Sequence, residues 1–206
     1  MKYQPGTVLQ GKYQIIELIG QGGYGVVYKA YAMHLSVPVA LKHNLDRSPI
    51  AQEQFQREAK LLAKLRHPNL PRVTDHFIVG TGEQCLVMDY IKGENLAKLV
   101  ERRGKLPPRE VLRYAYEVCD ALIYAQTPPI IHRDIKPANI IITNEGQAML
   151  VDFGIFKWYD PHGETSRGAR GVTPGYSPPE QYSLGQTDGR SDIYALGATL
   201  YALLSG

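Results

Sequence analysis

The sequence predicts an α+β chain in two lobes, strand-rich up to about residue 90 and mostly helical beyond. Three observations predict it. Residues 12–20, 25–31 and 37–43 are short runs rich in β-branched and aromatic residues, the composition of strands. After Tyr90 the apolar residues recur instead at helical spacing, as with Val111, Ala115, Val118 and Leu122 in 108–126. The 206 residues, 44% of them hydrophobic, suffice for one large domain or two small lobes sharing a cleft. The expected division is an N-terminal extension at 1–12, a first lobe at 13–90 and a second at 91–206.

In order along the chain, "KYQIIELIG", "GVVYKAY" and "VPVALKH" read as three strands. A helix follows, with Ser48 and Pro49 as N-cap and first helical residue and Phe55, Ala59, Leu62 and Leu65 on its apolar face. "HPNLPR" stops it, and "RVTDHFIV" and "EQCLVMDY" complete five strands. Beyond Tyr90 the spacing predicts helices over 95–103 and 108–126, two short strands around "NIIIT" and "AMLV", a long irregular loop from Asp152 to about Gln186, and a last helix from about Ser191.

Composition excludes several classes. Net charge is +3 with dispersed basic residues, so nothing calls for a nucleic-acid or membrane partner. Cys85 and Cys119 have no C-x-x-C or metal spacing, which fits buried thiols in a reducing compartment, the cytoplasm. No signal peptide is visible at the N-terminus, and the longest apolar stretch, 193–204, is shorter than the roughly 20 residues a membrane span needs.

"IGQGGYGVVYKA", residues 19–30, holds Gly20, Gly22 and Gly25 in the pattern G-x-G-x-x-G, with Gly23 between. A dinucleotide-binding turn needs a helix after the glycines and an acid about 20 positions on; "VVYKAY" reads as strand and Lys42 stands near the acid's place. A plain flexible hairpin and a flap whose backbone N–H groups cover nucleotide phosphates both remain open on the loop alone.

Further residues bear on that choice. Lys42 in "VALK" follows three apolar residues and supplies a compact positive charge for a phosphate, although a single lysine is most often solvated. Glu58 projects near the apolar face of the first helix, where it could hold that lysine or form an ordinary surface ion pair. In "IIHRDIKPANII", Asp134 could accept a hydroxyl proton, Lys136 could neutralise a moving phosphoryl group and Asn139 offers an oxygen to Mg2+. Apolar segments bracket this turn on both sides, as for a loop held rigidly in a core. Asp152 in "LVDFG" ends an apolar strand and offers a second metal ligand.

With these motifs the chain resembles the eukaryotic-type protein kinases, in the serine/threonine branch common in bacteria. The resemblance runs in order through "GQGGYGVV", "VALK", "REAKLLAKLRHPNL", "LVMDYIKGENL", "HRDIKPAN", "DFG", "TPGYSPPEQ" and "SDIYALG", nearly the whole chain. It implies an antiparallel five-stranded first lobe with one helix and a mostly helical second lobe, incomplete at its end. It implies the cofactors ATP and Mg2+. Ile19, Gly20, Gly22, Gly23, Gly25 and Val27 would close over ATP. Ala40 would line the same pocket, and Lys42, paired with Glu58, would hold the α- and β-phosphates. Met88 would stand at the back of the adenine pocket, Asp89 to Ile91 would supply backbone hydrogen bonds to the base, and Asn95 matches a ribose-contacting position. Asp134 is then the catalytic base, Lys136 steadies the γ-phosphate, and Asn139 and Asp152 bind the metal.

The resemblance also implies the acceptor. Lys136 two after the base, and Thr173 in "TPGY", follow the serine/threonine pattern, so the expected partners are proteins with Ser or Thr acceptors. Arg133 would dock a phosphorylated loop residue, with Thr165 and Ser166 as candidate autophosphorylation sites. Asp192 would bond the backbone of the His132–Arg133 turn or cap its own helix, and His132 would pack and hydrogen-bond rather than transfer protons. Pro178 replaces the usual alanine before Pro179–Glu180, and Phe156 stands where a small residue is common. Family members continue past the last helix with segments that would give Glu180 a basic partner, so helix 191–204 is expected to be under-buried in this chain alone. An ATP-dependent protein kinase is therefore expected, with a nucleotide-binding module of little transfer activity as the alternative.

Overall fold

The computed structural model describes residues 3–22, 25–80, 82–126, 130–152, 172–182 and 187–206. The chain divides into two compact units, one from Met1–Leu65 with Pro71–Tyr90, the other from Arg66–Leu70 with Ile91–Gly206.

The first unit is an antiparallel sheet with one helix. Its strands are β1 (Val8–Leu9), β2 (Tyr13–Gly22), β3 (Gly25–Ala32), β4 (Val37–Asn44), β5 (Val73–Val79) and β6 (Glu83–Asp89), in the order β1-β2-β3-β4-β6-β5. The sheet thus has six strands where five were expected. The added strand lies within residues 1–12: Gln10 and Gly11 both take positive φ, 51° and 63°, so a tight turn folds Val8 and Leu9 back onto Gln14 and Tyr13. Turns with two successive positive φ match the twist of hairpin strands. Glutamine at the first position hides that signal in the sequence.

One face of this sheet buries Val26, Tyr28, Val39, Leu41, Cys85 and Val87, with Leu9 and Ile15, in a single apolar cluster. Period-two alternation sends their neighbours Val27, Ala40, Lys42, Leu86 and Met88 to the other face. Helix α1 (Pro49–Leu62) packs against β5 and β6. Ser48 caps it as expected, its Oγ accepting from Ala51 N with Pro49 following. Phe55 is fully buried, and Gln84 Nε2 donates to the Gln52 carbonyl, which ties the helix to the strand face that carries Leu86.

In the second unit, β7 (Gly93–Asn95), β8 (Ile140–Thr143) and β9 (Ala148–Leu150) form a small antiparallel sheet. The helices are α2 (Leu96–Arg103), α3 (Pro108–Ala125), a short α4 (Pro179–Tyr182) and α5 (Gly189–Ser205). β7 was not expected; Asn95 ends it and caps α2, its Oδ1 accepting from Lys98 N at 2.9 Å. α4 lies in a stretch expected to be irregular. The buried face of α3 is Val111, Tyr114, Val118, Ala121, Leu122 and Ala125, with Ala115 only half-buried. α5 begins two residues before Ser191, because Asp188 caps it by accepting from Arg190 N. Ile193, Tyr194, Tyr201 and Leu204 on α5 are exposed. No helix among the described residues is long and apolar enough to cross a membrane.

Candidate active site

In the first unit the expected nucleotide residues fall on one hairpin, one sheet face, helix α1 and the end of β6. β2 and β3 pair Gly20 with Val27 and Gly22 with Gly25, so the glycines sit at the end of the hairpin where β2 leads into β3, with Ile19 exposed beside them. Gly23 lies outside the described residues. A Cβ at Gly25 would collide with the backbone carbonyl of His43, whereas Gly22 has open space and Gly20 only ordinary contact with Val27. Gly25 is therefore required for the β3–β4 approach.

Cross-strand neighbours assemble the face. Val27 stands opposite Lys42, Lys42 opposite Leu86, and Ala40 opposite Met88. Lys42 is only 8% exposed, an unusual burial for an ammonium and one that separates it from solvated surface lysines. Glu58 is half-buried on α1, one position before buried Ala59. At the end of β6 the N–H of Asp89 donates to the Arg72 carbonyl while its carboxylate accepts from Arg72 N.

On the opposite face, next in sequence to Lys42, fully buried His43 bonds Glu83 through Nε2 at 3.1 Å, and Arg47 pairs with the same carboxylate. Sequence reading missed this cluster, because a lone histidine in a strand carries no pattern.

The second unit gathers the other expected residues around the turn at 132–139. Thr173 Oγ1 donates to Asp134 Oδ1 at 2.7 Å, Lys136 Nζ lies 3.0 and 2.8 Å from the two carboxylate oxygens, and Asn139 Nδ2 donates to Oδ2 at 2.9 Å. Lys136 Nζ also donates to Thr173 Oγ1 at 3.2 Å, and Asn139 Nδ2 to the Asp134 carbonyl at 2.7 Å. The Asp134 carboxylate is fixed by three side chains, and each of those is fixed in turn. Ser177 Oγ accepts from Thr173 N, so the threonine is held from its backbone as well.

Beneath lies a buried scaffold. Asp192, 4% exposed, accepts from His132 N at 2.8 Å and Arg133 N at 2.7 Å. Of the two roles open for Asp192, the structure shows the backbone brace; Asp188 is the cap. Burial pushes the Asp192 carboxyl above the usual carboxylate range. His132 is completely buried, and its Nδ1 accepts from Asp134 N, which assigns the proton to Nε2 for donation to the Val151 carbonyl at 3.0 Å. Burial lowers its pKa, which favours the neutral ring. His132 therefore links the turn to the strand end that carries Asp152. Val151 N, in turn, donates to the Asn139 carbonyl.

Arg133 and Asp152 both take positive φ, 63° and 62°. Such backbone costs about 1–3 kcal/mol each in non-glycine residues and gathers at functional sites. Buried Gln181 adds a strut that the sequence did not announce, its Nε2 donating to the Arg133 carbonyl at 3.0 Å. Glu180 accepts from Ser191 Oγ at 2.7 Å. Asn69, also missed, donates to the Ala148 carbonyl and accepts from Leu150 N, fastening the strand before Asp152. Ile91 and Asn95 lie half-buried before α2, the Asn95 oxygen engaged as its cap. Phe153, Gly154, Phe156, Thr165 and Ser166 lie outside the described residues.

Comparison with known proteins fits this geometry. A family model described as the protein kinase domain matches residues 13–206. A probable serine/threonine-protein kinase of Streptomyces coelicolor is 37% identical over 205 residues, covering 96% of this chain and 30% of its own length. The serine/threonine-protein kinases pkn2 and pkn3 of Myxococcus xanthus are 36% and 37% identical, over 97% and 98% of this chain and 25% and 39% of their own lengths. The chain thus spans well under half of these relatives. It belongs to the protein kinase family, in the eukaryotic-type branch found in bacteria.

Proposed function

We propose that this chain is an ATP-dependent serine/threonine protein kinase that transfers the γ-phosphoryl group of MgATP to protein hydroxyls. The observation that carries it is the Asp134 carboxylate, held at 2.7–3.0 Å by Thr173, Lys136 and Asn139. Asp134 accepts the proton of the incoming Ser or Thr hydroxyl as that oxygen bonds the γ-phosphorus. The bond from phosphorus to the bridging oxygen breaks, and ADP leaves with the electron pair. Lys136 brings its ammonium to the phosphoryl group while still touching the base and Thr173. Little covalent work is asked of the protein, and the rate comes from positioning and charge neutralisation.

Lys42 holds the α- and β-phosphates, oriented by Glu58. The β2–β3 backbone from Ile19 to Val27 covers the nucleotide, Ala40 and Met88 line the base pocket, and the Asp89 carbonyl with Ile91 bonds the adenine. Asn95 faces the ribose. Asn139 and Asp152 fit Mg2+: both Asn139 amide hydrogens are drawn to Asp134, which leaves Oδ1 and a carboxylate as hard oxygen donors. The ion, when bound, neutralises phosphate charge. Thr165 and Ser166 are proposed as autophosphorylation sites, and the two reduced cysteines, Cys85 and Cys119, support a reducing, cytoplasmic setting.

The test is incubation with Mg2+ and labelled ATP, comparing wild type with Asp134→Asn and Lys42→Met. Label incorporated by wild type and lost in both variants is expected. Thermal stabilisation by ATP without incorporation by wild type would instead indicate a nucleotide-binding module.

A further inference from the structure

The catalytic reading leaves one feature of α3 without a use. Its inner face is buried, but Leu112, Tyr116, Cys119 and Ile123 lie on the opposite side within about 60° of one another, at roughly 100° per residue. Leu112 and Ile123 are each 68% exposed and Tyr116 is 74% exposed, with Cys119 half-buried. Single exposed apolar residues are ordinary, but a stripe of four along one helix marks an interaction surface.

We propose that this stripe is a self-association surface, on which a second copy of the chain lays its own α3 antiparallel about a twofold axis. The spacing of four, three and four residues reads the same in both directions. A twofold pairing therefore sets Leu112 against the partner's Ile123, and Tyr116 against the partner's Cys119, a large side chain against a small one. The charges along one edge of the stripe agree. Arg109 and Arg113 stand toward the N-terminal end and Asp120 toward the C-terminal end, so antiparallel packing brings the basic end of each helix to the acidic end of the other. Arg113 lies over the Tyr114 ring at 5.1 Å and Asp120 accepts from His67 Nε2, yet the Asp120 side chain keeps 55% of its surface open. One pair of 18-residue helices falls in the small interface class, below about 1,200 Å², so the dimer is weak and concentration-dependent.

The measurement is sedimentation velocity of the whole chain over a concentration series. Wild type is expected to show a reversible monomer–dimer equilibrium. Leu112→Glu with Ile123→Glu should weaken it about tenfold or more, while Ile193→Glu, on the exposed face of α5, should leave it unchanged. Arg113→Glu and Asp120→Lys should each weaken homodimers, and an equimolar mixture of the two should restore dimer, because the pairs are complementary only across the mixed interface. Thermal melting checks that each variant folds. If Asp120→Lys does not fold, the double glutamate variant and Arg113→Glu still decide. A wild type that stays monomeric throughout, a dimer indifferent to the Leu112/Ile123 changes, or a mixture that fails to recover would overturn the proposal.

Discussion

The β2–β3 hairpin and the turn at 132–139 are built from different materials. In the hairpin the proposed phosphate-handling groups are backbone, on glycines that present no side chain, and Gly22 stands exposed. In the turn they are side chains, each with two or more hydrogen bonds, resting on buried His132, Arg133, Asn139 and Asp192. A backbone device tolerates substitution wherever space allows, whereas a side-chain network loses geometry and satisfaction together when one member goes. The two regions should therefore fail in different ways.

The largest effect belongs to the turn. Asp134→Asn keeps the shape but removes the proton acceptor and turns donors against donors. It should lower kcat by about 10²–10⁴ with a small change in melting temperature, read by label transfer and calorimetry. A loss below tenfold would mean the carboxylate is a structural hub rather than the base. Next is Asp192→Ala, which touches no substrate. It strands the buried N–H groups of His132 and Arg133, and at about 1–3 kcal/mol per unsatisfied donor it should lower stability by several kcal/mol in urea titration. If the fold holds while kcat falls, the brace acts only on geometry.

The hairpin sharpens the contrast from within. Its motif presents three equal glycines; the structure separates them. Gly25→Ala drives a methyl into the His43 carbonyl and should cost about 2–3 kcal/mol. Gly22→Ala meets nothing and should leave melting unchanged while raising KM for ATP. Equal destabilisation by both would show that the hairpin rests on its turn rather than on the β3–β4 approach.

Much of this was legible in the sequence because the informative residues are close together or periodic. Runs of β-branched and aromatic residues marked the strands between residues 12 and 90, Ser48–Pro49 marked the helix start, and Asp134, Lys136 and Asn139 fall within six positions. What stayed hidden depends on partners far away in the chain. Gln181 is 48 residues from Arg133 and Asn69 is 79 from Ala148. Nothing local distinguishes these from solvated polar residues. β1 was hidden for another reason: two residues are too few to alternate, and the Gln10–Gly11 turn lacks the usual Asn or Asp.

The smallest effect is a slope. His132 is buried with its pKa lowered, so the folded state holds it neutral below the pH where the unfolded chain, near 6.5, takes up a proton. Below 6.5 the unfolded state binds more protons, and stability rises with pH. The contribution is fully present above about 6.5 and is lost as pH falls toward the lowered folded value. One proton limits the slope to about 1.4 kcal/mol per pH unit. Asp192, with its carboxyl raised, works in the opposite direction in more acidic solution. The comparison that isolates His132 is therefore wild type against His132→Asn between pH 7.5 and about 5.5. The variant should be less stable at pH 7.5, having lost the bond to the Val151 carbonyl, and should show a flatter melting profile toward acid. Parallel profiles would mean that the imidazole shares its proton with Asp192 in the folded state, and the turn would then be braced by an ion pair instead of a neutral ring.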